Sequence, residues 1–192
     1  MVYQKFIRPP LPSDWFLVVR TASQQFFMKT LLPYVQSYIK NSTAVIRDLK
    51  HLDIPSNALL FSADAVSMYT NIDTQQALTS MKEFIQANSD KIPETFPTPL
   101  FLQILEVVVT NNIISFGETF WLQLTGTVMG MPTACSYVTI TYGHHENSQI
   151  LPRFSQHLLY YKRYINDVFG IWKPSASNNH ETWEQFKTEL NN

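Results

Sequence analysis

The sequence predicts an α+β fold, a small antiparallel sheet backed by helices. Three observations carry this. Several long stretches repeat apolar residues every three to four positions, the period of a helix with one buried face. The short apolar run Leu59-Leu60-Phe61 breaks that period and reads as a strand. Two stretches, "IISFGETFWLQL" and "YYKRYINDVFGIW", read as hairpins, each with turn-forming residues between apolar-aromatic runs.

The elements follow in order. The first 14 residues are expected to be extended, because Pro9, Pro10 and Pro12 lack the N–H that helix pairing needs. From Thr21 to about Leu52 the period is helical, through Phe26, Phe27, Leu31, Leu32, Val35, Tyr38, Ile39, Val45, Ile46 and Leu49. Asn41-Ser42-Thr43 divides this stretch into a pair of helices, with Ser42 or Thr43 as the cap of the second. Leu59, Leu60 and Phe61 form a buried strand that delivers Asp64 at its C-terminal end. Asp73 caps the next helix; Gln76 completes a capping-box-like pair, and Ala77, Leu78, Met81, Phe84 and Ile85 form its apolar face. The connection "KIPETFPTP" leads to a helix with Pro99 in its first turn and Leu100, Phe101, Ile104, Leu105 and Val108 along it. The hairpin that follows turns at Gly117, and Gly126 to Pro132 is an irregular loop. Thr133 to about Leu151 reads as a helix, although Val138 to Thr141 would also suit a strand. In the last hairpin Asn166-Asp167 occupies the tight turn, and a final helix from Glu181 to Leu190 carries Trp183, Phe186 and Leu190 on one side without an evident partner.

Composition bounds the function. With 45% hydrophobic and 14% aromatic residues the chain is expected to be globular, and 192 residues are enough for one domain with a proper core. A net charge of −1 with 15% charged residues gives no general basic field, so any nucleic-acid binding must use a local patch. The single cysteine, Cys135, excludes an internal disulfide and a thiolate zinc site and suits a reducing compartment, so an intracellular location, nucleus or cytoplasm, is expected. The N-terminus lacks the apolar run of a signal peptide, and no uncharged apolar stretch reaches about 18 residues, so a soluble protein with no membrane partner is expected.

Three separated segments could converge: Asp64 at a strand end, the glycine loop, and Asp167 in the hairpin. Phosphoryl transfer assisted by divalent ions needs carboxylates close in space, because Mg²⁺ prefers hard oxygen ligands, and a glycine loop lets backbone approach a nucleotide. Each feature also has a structural reading. An Asp after a strand serves equally as a turn or cap residue, and "YINDV" is also an ordinary hairpin with a polar turn.

The residues themselves favour the first reading. "FSADAVSMYTNI", "LTGTVMGMPTACSYVTITYG" and "YYKRYINDVFGIW", in this order and at these separations, resemble the palm-domain motifs of reverse transcriptases. Within that superfamily they look most like Penelope-like retroelement reverse transcriptases, in which the aspartate motif is followed by Tyr-Thr-Asn-Ile and the glycine motif carries Met-Gly. "FIRPPLPSDW" and "MKTLLPYVQSYIKNS" resemble the fingers motif and the helical segment upstream, so the likeness runs from about Arg8 to Trp172. It implies an α+β palm with partial fingers, divided as 1–55 fingers and connecting helices, 56–175 palm, and 176–192 a helical remnant. The implied activity is RNA-directed DNA synthesis on an RNA template with a DNA primer and dNTPs, using Mg²⁺ or Mn²⁺. Asp64 and Asp167 would be metal-binding carboxylates, with the backbone carbonyl of Ala65 helping. Tyr69 would be an aromatic gate beneath the sugar, Met129 and Gly130 would lie under the nucleotide and template base, and Arg8 would meet the triphosphate.

Departures from the pattern matter as much. The family's Tyr-x-Asp-Asp hairpin has its principal metal ligand where this chain has Asn166, a neutral amide, so impaired or absent polymerase activity is expected. Cys135 stands where a proline is usual. Only 20 residues follow Trp172, too few for a thumb, and no trace of a GIY-YIG endonuclease is present, so a fragment of an element-derived gene is expected. The rival from another class is a non-catalytic nucleic-acid-binding or scaffolding protein on the same palm. Among other candidates, His144 and His145 point about 100° apart on a helix and are read as surface or structural residues, and Cys135 as a buried thiol. Lys162 and Arg163 either touch a primer backbone or form the solvated edge of a strand, and the four tryptophans are read as packing residues.

Overall fold

A computed structural model describes residues 3–6, 25–128, 133–174 and 179–191. In chain order the elements are strand β1 (Tyr3–Phe6), helix α1 (25–31) closing in a 3₁₀ turn (Leu32–Tyr34), α2 (Ser42–Leu49), β2 (Leu59–Asp64), α3 (Thr74–Ala87) and α4 (Thr98–Thr110). Then come β3 (Ile113–Phe116), β4 (Thr119–Gln123), α5 (Ala134–His145), a π turn (Glu146–Ile150), α6 (Leu151–Arg153), β5 (Leu158–Tyr164), β6 (Asp167–Trp172) and α7 (Asn179–Leu190). The helices and small antiparallel sheets are those of an α+β protein. The chain forms two compact units, one of Met1–Tyr34 with Ser67–Thr141 and one of Val35–Val66 with Tyr142–Asn192.

The first unit holds a three-stranded antiparallel sheet in the order β1-β4-β3. Its β3–β4 hairpin turns at Gly117, as the sequence predicts, with a left-handed φ of 58° that glycine adopts without a Cβ clash. Asp73 caps α3 as expected, accepting the Gln76 N–H at 2.7 Å. The buried residues of α3 are Thr74, Ala77, Met81, Phe84 and Ile85, and those of α4 are Phe101, Leu105, Val108 and Val109. Phe27 of α1 meets Phe96 and Phe101 edge-on, with ring centroids 5.6 and 6.0 Å away.

The second unit holds the other sheet, in the order β2-β6-β5 and antiparallel throughout. One of its faces is buried by a cluster of Ile150, Phe154, Tyr161, Val168, Trp172 and Phe186, with Phe61, Trp183 and Leu190 packed against it. The final helix therefore has a partner that periodicity alone did not reveal: Phe186 of α7 lies 5.1 Å from Trp172 and 5.2 Å from Phe61, ring centre to ring centre. Phe61 in turn lies over Gly170, its register partner, so that any Cβ there would run into the ring.

A buried ion pair ties this unit together. Arg163 of β5 and Glu146 at the start of the π turn are 4% and 2% exposed. The guanidinium grips one carboxylate oxygen through Nη2 and through Nε, the latter at 2.7 Å, and Tyr161 donates its hydroxyl to the same oxygen at 2.6 Å. The hydroxyl of Ser37 donates to the other oxygen. The Ser37–Ile39 segment also runs along the edge of β5: Arg163 N–H donates to Ser37 O at 2.6 Å, and Ile39 N–H to Arg163 O at 3.0 Å. Arg163 is thus neither a primer contact nor a solvated strand edge. Its edge is covered by the chain's own backbone, and its charge is spent on Glu146. Lys162 reaches the same segment, donating to Gln36 O at 2.7 Å.

Other expectations change here. The first helix ends before Pro33, and Tyr38 and Ile39, expected in that helix, belong instead to the strip beside β5. Asn41, not Ser42 or Thr43, caps α2, accepting the Ala44 N–H at 3.0 Å. β2 is not a buried strand: it is the outer strand of its sheet, and Leu60 is 69% exposed. Helix 133–151 forms as predicted and runs on to Arg153, with the π turn inserted at Glu146.

Arg163→Ala should destabilise the protein by about 3–5 kcal/mol in urea unfolding, because it leaves the Glu146 carboxylate buried without its counter-charge. A paired Arg163→Met, Glu146→Leu replacement should lose much less. Burial, reinforced by Glu146 and opposed by Arg163, raises the Tyr161 phenol above its ordinary 10.0, and burial with Asp73 nearby does the same to Tyr137. The folded chain keeps protons that the unfolded chain releases, so stability is full below about pH 10 and falls as pH rises beyond it. Thermal midpoints between about pH 8 and pH 11 should show that fall.

Candidate functional site

In the second unit, β2 ends at Asp64 and β6 begins at Asp167, and the register sets these residues directly opposite each other. Residues so paired on antiparallel strands have Cβ atoms about 4.5–5.5 Å apart, and like charges there repel. Both aspartates are exposed. Asp167 is therefore not at the hairpin tip, as the sequence suggested, but is the first residue of the strand. The tip is Ile165-Asn166. Ile165 has a φ of 55°, which a β-branched residue adopts only under strain, typically about 1–3 kcal/mol.

That strained turn presents Asn166 to Asp64. The amide Nδ2 donates to Asp64 Oδ1 at 2.5 Å, and Ala65 N–H donates to the Asn166 carbonyl at 2.9 Å. An N–H donor against a carboxylate satisfies the group that a cation would otherwise satisfy. Were the amide turned over, two oxygens would face each other, an arrangement that calls for a cation between them. Beside the carboxylates lies a cleft of about 460 Å³, lined by Ile39, Val45, Lys162, Tyr164 and Phe169 among others.

In the first unit, Tyr69 sits in a tight turn, in which Thr70 N–H and Asn71 N–H both donate to Ser67 O at 2.9 and 3.0 Å. Ser67 takes the left-handed conformation, φ 56°. The segment before the glycine loop is pinned to this turn: Gly126 N–H donates to Ile72 O at 2.9 Å and Thr127 N–H to Tyr69 O at 2.7 Å. A Cβ on Gly126 would come within 2.7 Å of Tyr69 O, so only glycine allows the approach. The Tyr69 hydroxyl lies 3.1 Å from Cys135 Sγ, and burial followed by Cys135 raises its phenol above the ordinary value. Cys135 is exposed, not buried as expected: α5 turns Ala134, Tyr137, Val138 and Ile140 inward and leaves Cys135 outside.

The structure thus brings Asp64, Ala65, Asn166 and Asp167 together in one unit and describes Tyr69 in the other; Arg8, Met129 and Gly130 lie outside the described residues. His145 is exposed and His144 half-buried, and among the described residues no group of three or more His, Cys, Asp or Glu is placed to hold a metal. Trp172 is fully buried and Trp183 packs against it at 5.1 Å, consistent with packing roles; Trp15 lies outside the described residues. Sequence reasoning passed over Glu146, which sits in the polar run His144–Gln149 and gave no signal of burial. No helix among the described residues is long and apolar enough to cross a membrane.

No family model and no curated protein matches the chain. Solved structures do. Apo telomerase from Candida tropicalis, truncated of its C-terminal domain, superposes with a TM-score of 0.65 at 12% identity over 92% of this chain and 37% of that one. The fold is reverse-transcriptase-like. Telomerase from Candida albicans, in complex with the TWJ fragment of telomeric RNA, matches with a TM-score of 0.64 at 12% identity over 96% of this chain and 36% of that one. This chain therefore spans little more than a third of the length of either telomerase chain.

Asn166→Asp should set a third carboxylate against Asp64 and lower the thermal midpoint in the absence of divalent ions, because the repulsion is uncompensated. Mg²⁺ or Mn²⁺ should then raise the midpoint of the variant, through a stabilisation on the order of 1.4 kcal/mol at ten times the Kd, and affect the unaltered protein less. An equal response of both proteins in thermal-shift titration would contradict this account of the amide.

Proposed function

We propose that the chain is a reverse-transcriptase domain derived from a Penelope-like retroelement, ancestrally an RNA-directed DNA polymerase and impaired by Asn166. One observation carries the reading: Asp64 and Asp167 are held opposite each other at the ends of adjacent strands, with Asn166 donating to Asp64 where the resemblance implies a carboxylate. The motif order supports the family, and the telomerase-like fold supports the polymerase class.

In the ancestral reaction a primer 3′-hydroxyl attacks the α-phosphate of a dNTP. Mg²⁺ or Mn²⁺, when bound, would neutralise developing charge on the attacking and leaving oxygens. Asp64 and Asp167 would supply hard oxygen donors suited to one such ion, with the Ala65 carbonyl helping as the resemblance implies. They suit a pair of ions poorly, because the remaining position supplies an uncharged amide whose N–H already faces Asp64. Tyr69 would lie beneath the sugar and reject a 2′-hydroxyl, while Met129, Gly130 and Arg8 would meet the base and phosphates. RNA template and DNA primer are the proposed partners, supported by the RNA named in the Candida albicans complex, and nucleus or cytoplasm the proposed location.

A non-catalytic nucleic-acid-binding or scaffolding role is favoured by the same hydrogen bond, which leaves Asp64 satisfied without a cation. Primer extension on an RNA template with dNTPs and Mg²⁺ or Mn²⁺ separates the readings. The expected outcome is little or no synthesis by the unaltered chain, synthesis by Asn166→Asp, and none once Asp64→Ala is added. Robust synthesis by the unaltered chain would overturn the impairment; failure of both with salt-dependent RNA binding would favour the scaffolding role.

A further inference from the structure

Tyr69 is held at both ends. Its backbone carbonyl accepts the Thr127 N–H at 2.7 Å, and its hydroxyl lies 3.1 Å from the thiol of Cys135, in the first turn of α5. The turn that carries it is closed by Ser67 in a left-handed conformation and by the close approach of Gly126. The backbone contacts set where the ring starts, but they leave the side-chain torsions free. Among the described residues, the hydrogen-bond partner of the hydroxyl at the far end of the ring is Cys135. A sugar gate discriminates by steric contact, so an ångström of movement at the ring changes what it excludes. Proline, usual at this position in the family that the sequence resembles, has no polar side-chain atom to meet the phenol.

We infer that Cys135 is a positioning and specificity-determining residue, whose thiol locks the Tyr69 ring in the orientation that favours deoxyribose over ribose. This rests on the reading of Tyr69 as a sugar gate. Loss of the thiol frees the ring to rotate away and admits the 2′-hydroxyl, whereas a serine hydroxyl keeps the contact.

Cys135 is the chain's single cysteine and is exposed, so its alkylation by a maleimide reports directly on the contact, whether or not the protein polymerises. Tyr69→Phe should change the alkylation rate about fivefold, upward where the thiol donates to the phenol and downward where the phenol donates to the sulfur, the ratio that one hydrogen bond of ordinary net strength supports. Bound dATP should slow alkylation of the unaltered protein, and ATP less so. In equilibrium dialysis the preference for dATP over ATP should fall about fivefold in Cys135→Ala and be retained in Cys135→Ser. An unchanged alkylation rate in Tyr69→Phe, or a preference for dATP that Cys135→Ala leaves intact, would overturn the inference while the gate reading stands. If neither nucleotide is retained, or Tyr69→Ala leaves the preference unchanged, the gate reading itself fails and the inference falls with it.

Discussion

A carboxylate and a guanidinium withdrawn from water together organise the second unit. Burying either alone would cost several kcal/mol; burying both is tolerable because Ser37 and Tyr161 complete the hydrogen bonding of Glu146. The consequence is geometric. Arg163 belongs to β5, Glu146 to the π turn and Ser37 to the strip along the sheet edge, so one charged contact joins three segments distant in sequence. The π turn places its carboxylate where the guanidinium needs it, and the helix then resumes into Leu151–Arg153.

What is anchored in this way is the strand that feeds the hairpin. Arg163 precedes Tyr164, Ile165 and Asn166, and a strained residue such as Ile165 persists only where its surroundings over-determine it. On the other side, β6 is held by Val168 and Trp172 in the core and by Gly170 beneath Phe61. Both strands entering the turn are therefore fixed, and the register that opposes Asp64 to Asp167 cannot slip by a residue without expelling the aromatic core to solvent.

The candidate site was readable in part. Asp64 at a strand end, Asp167 in a hairpin and Asn166 next to it are visible in the motifs, because short-range spacing decides roughly where a strand stops and a turn begins. The motifs did not reveal that the tip is Ile165-Asn166 or that Asn166 donates to Asp64 across 102 residues of chain. Nor did they reveal that Cys135 is exposed against Tyr69, or that Arg163 is buried: a cysteine in an apolar stretch and an arginine in a strand each fit either side of a surface.

The sequence by itself determined the helices of α3 and α4, the hairpin turn at Gly117, the cap at Asp73 and the α+β class, since all of these follow from interactions within a few residues of each other. The tertiary structure alone decided the partner of α7, the crossing of Ser37–Ile39 beside β5 and the pairing of Glu146 with Arg163. Those outcomes depend on which apolar faces and charges meet after the chain has folded back on itself. Periodicity shows that a face must be buried, not what buries it.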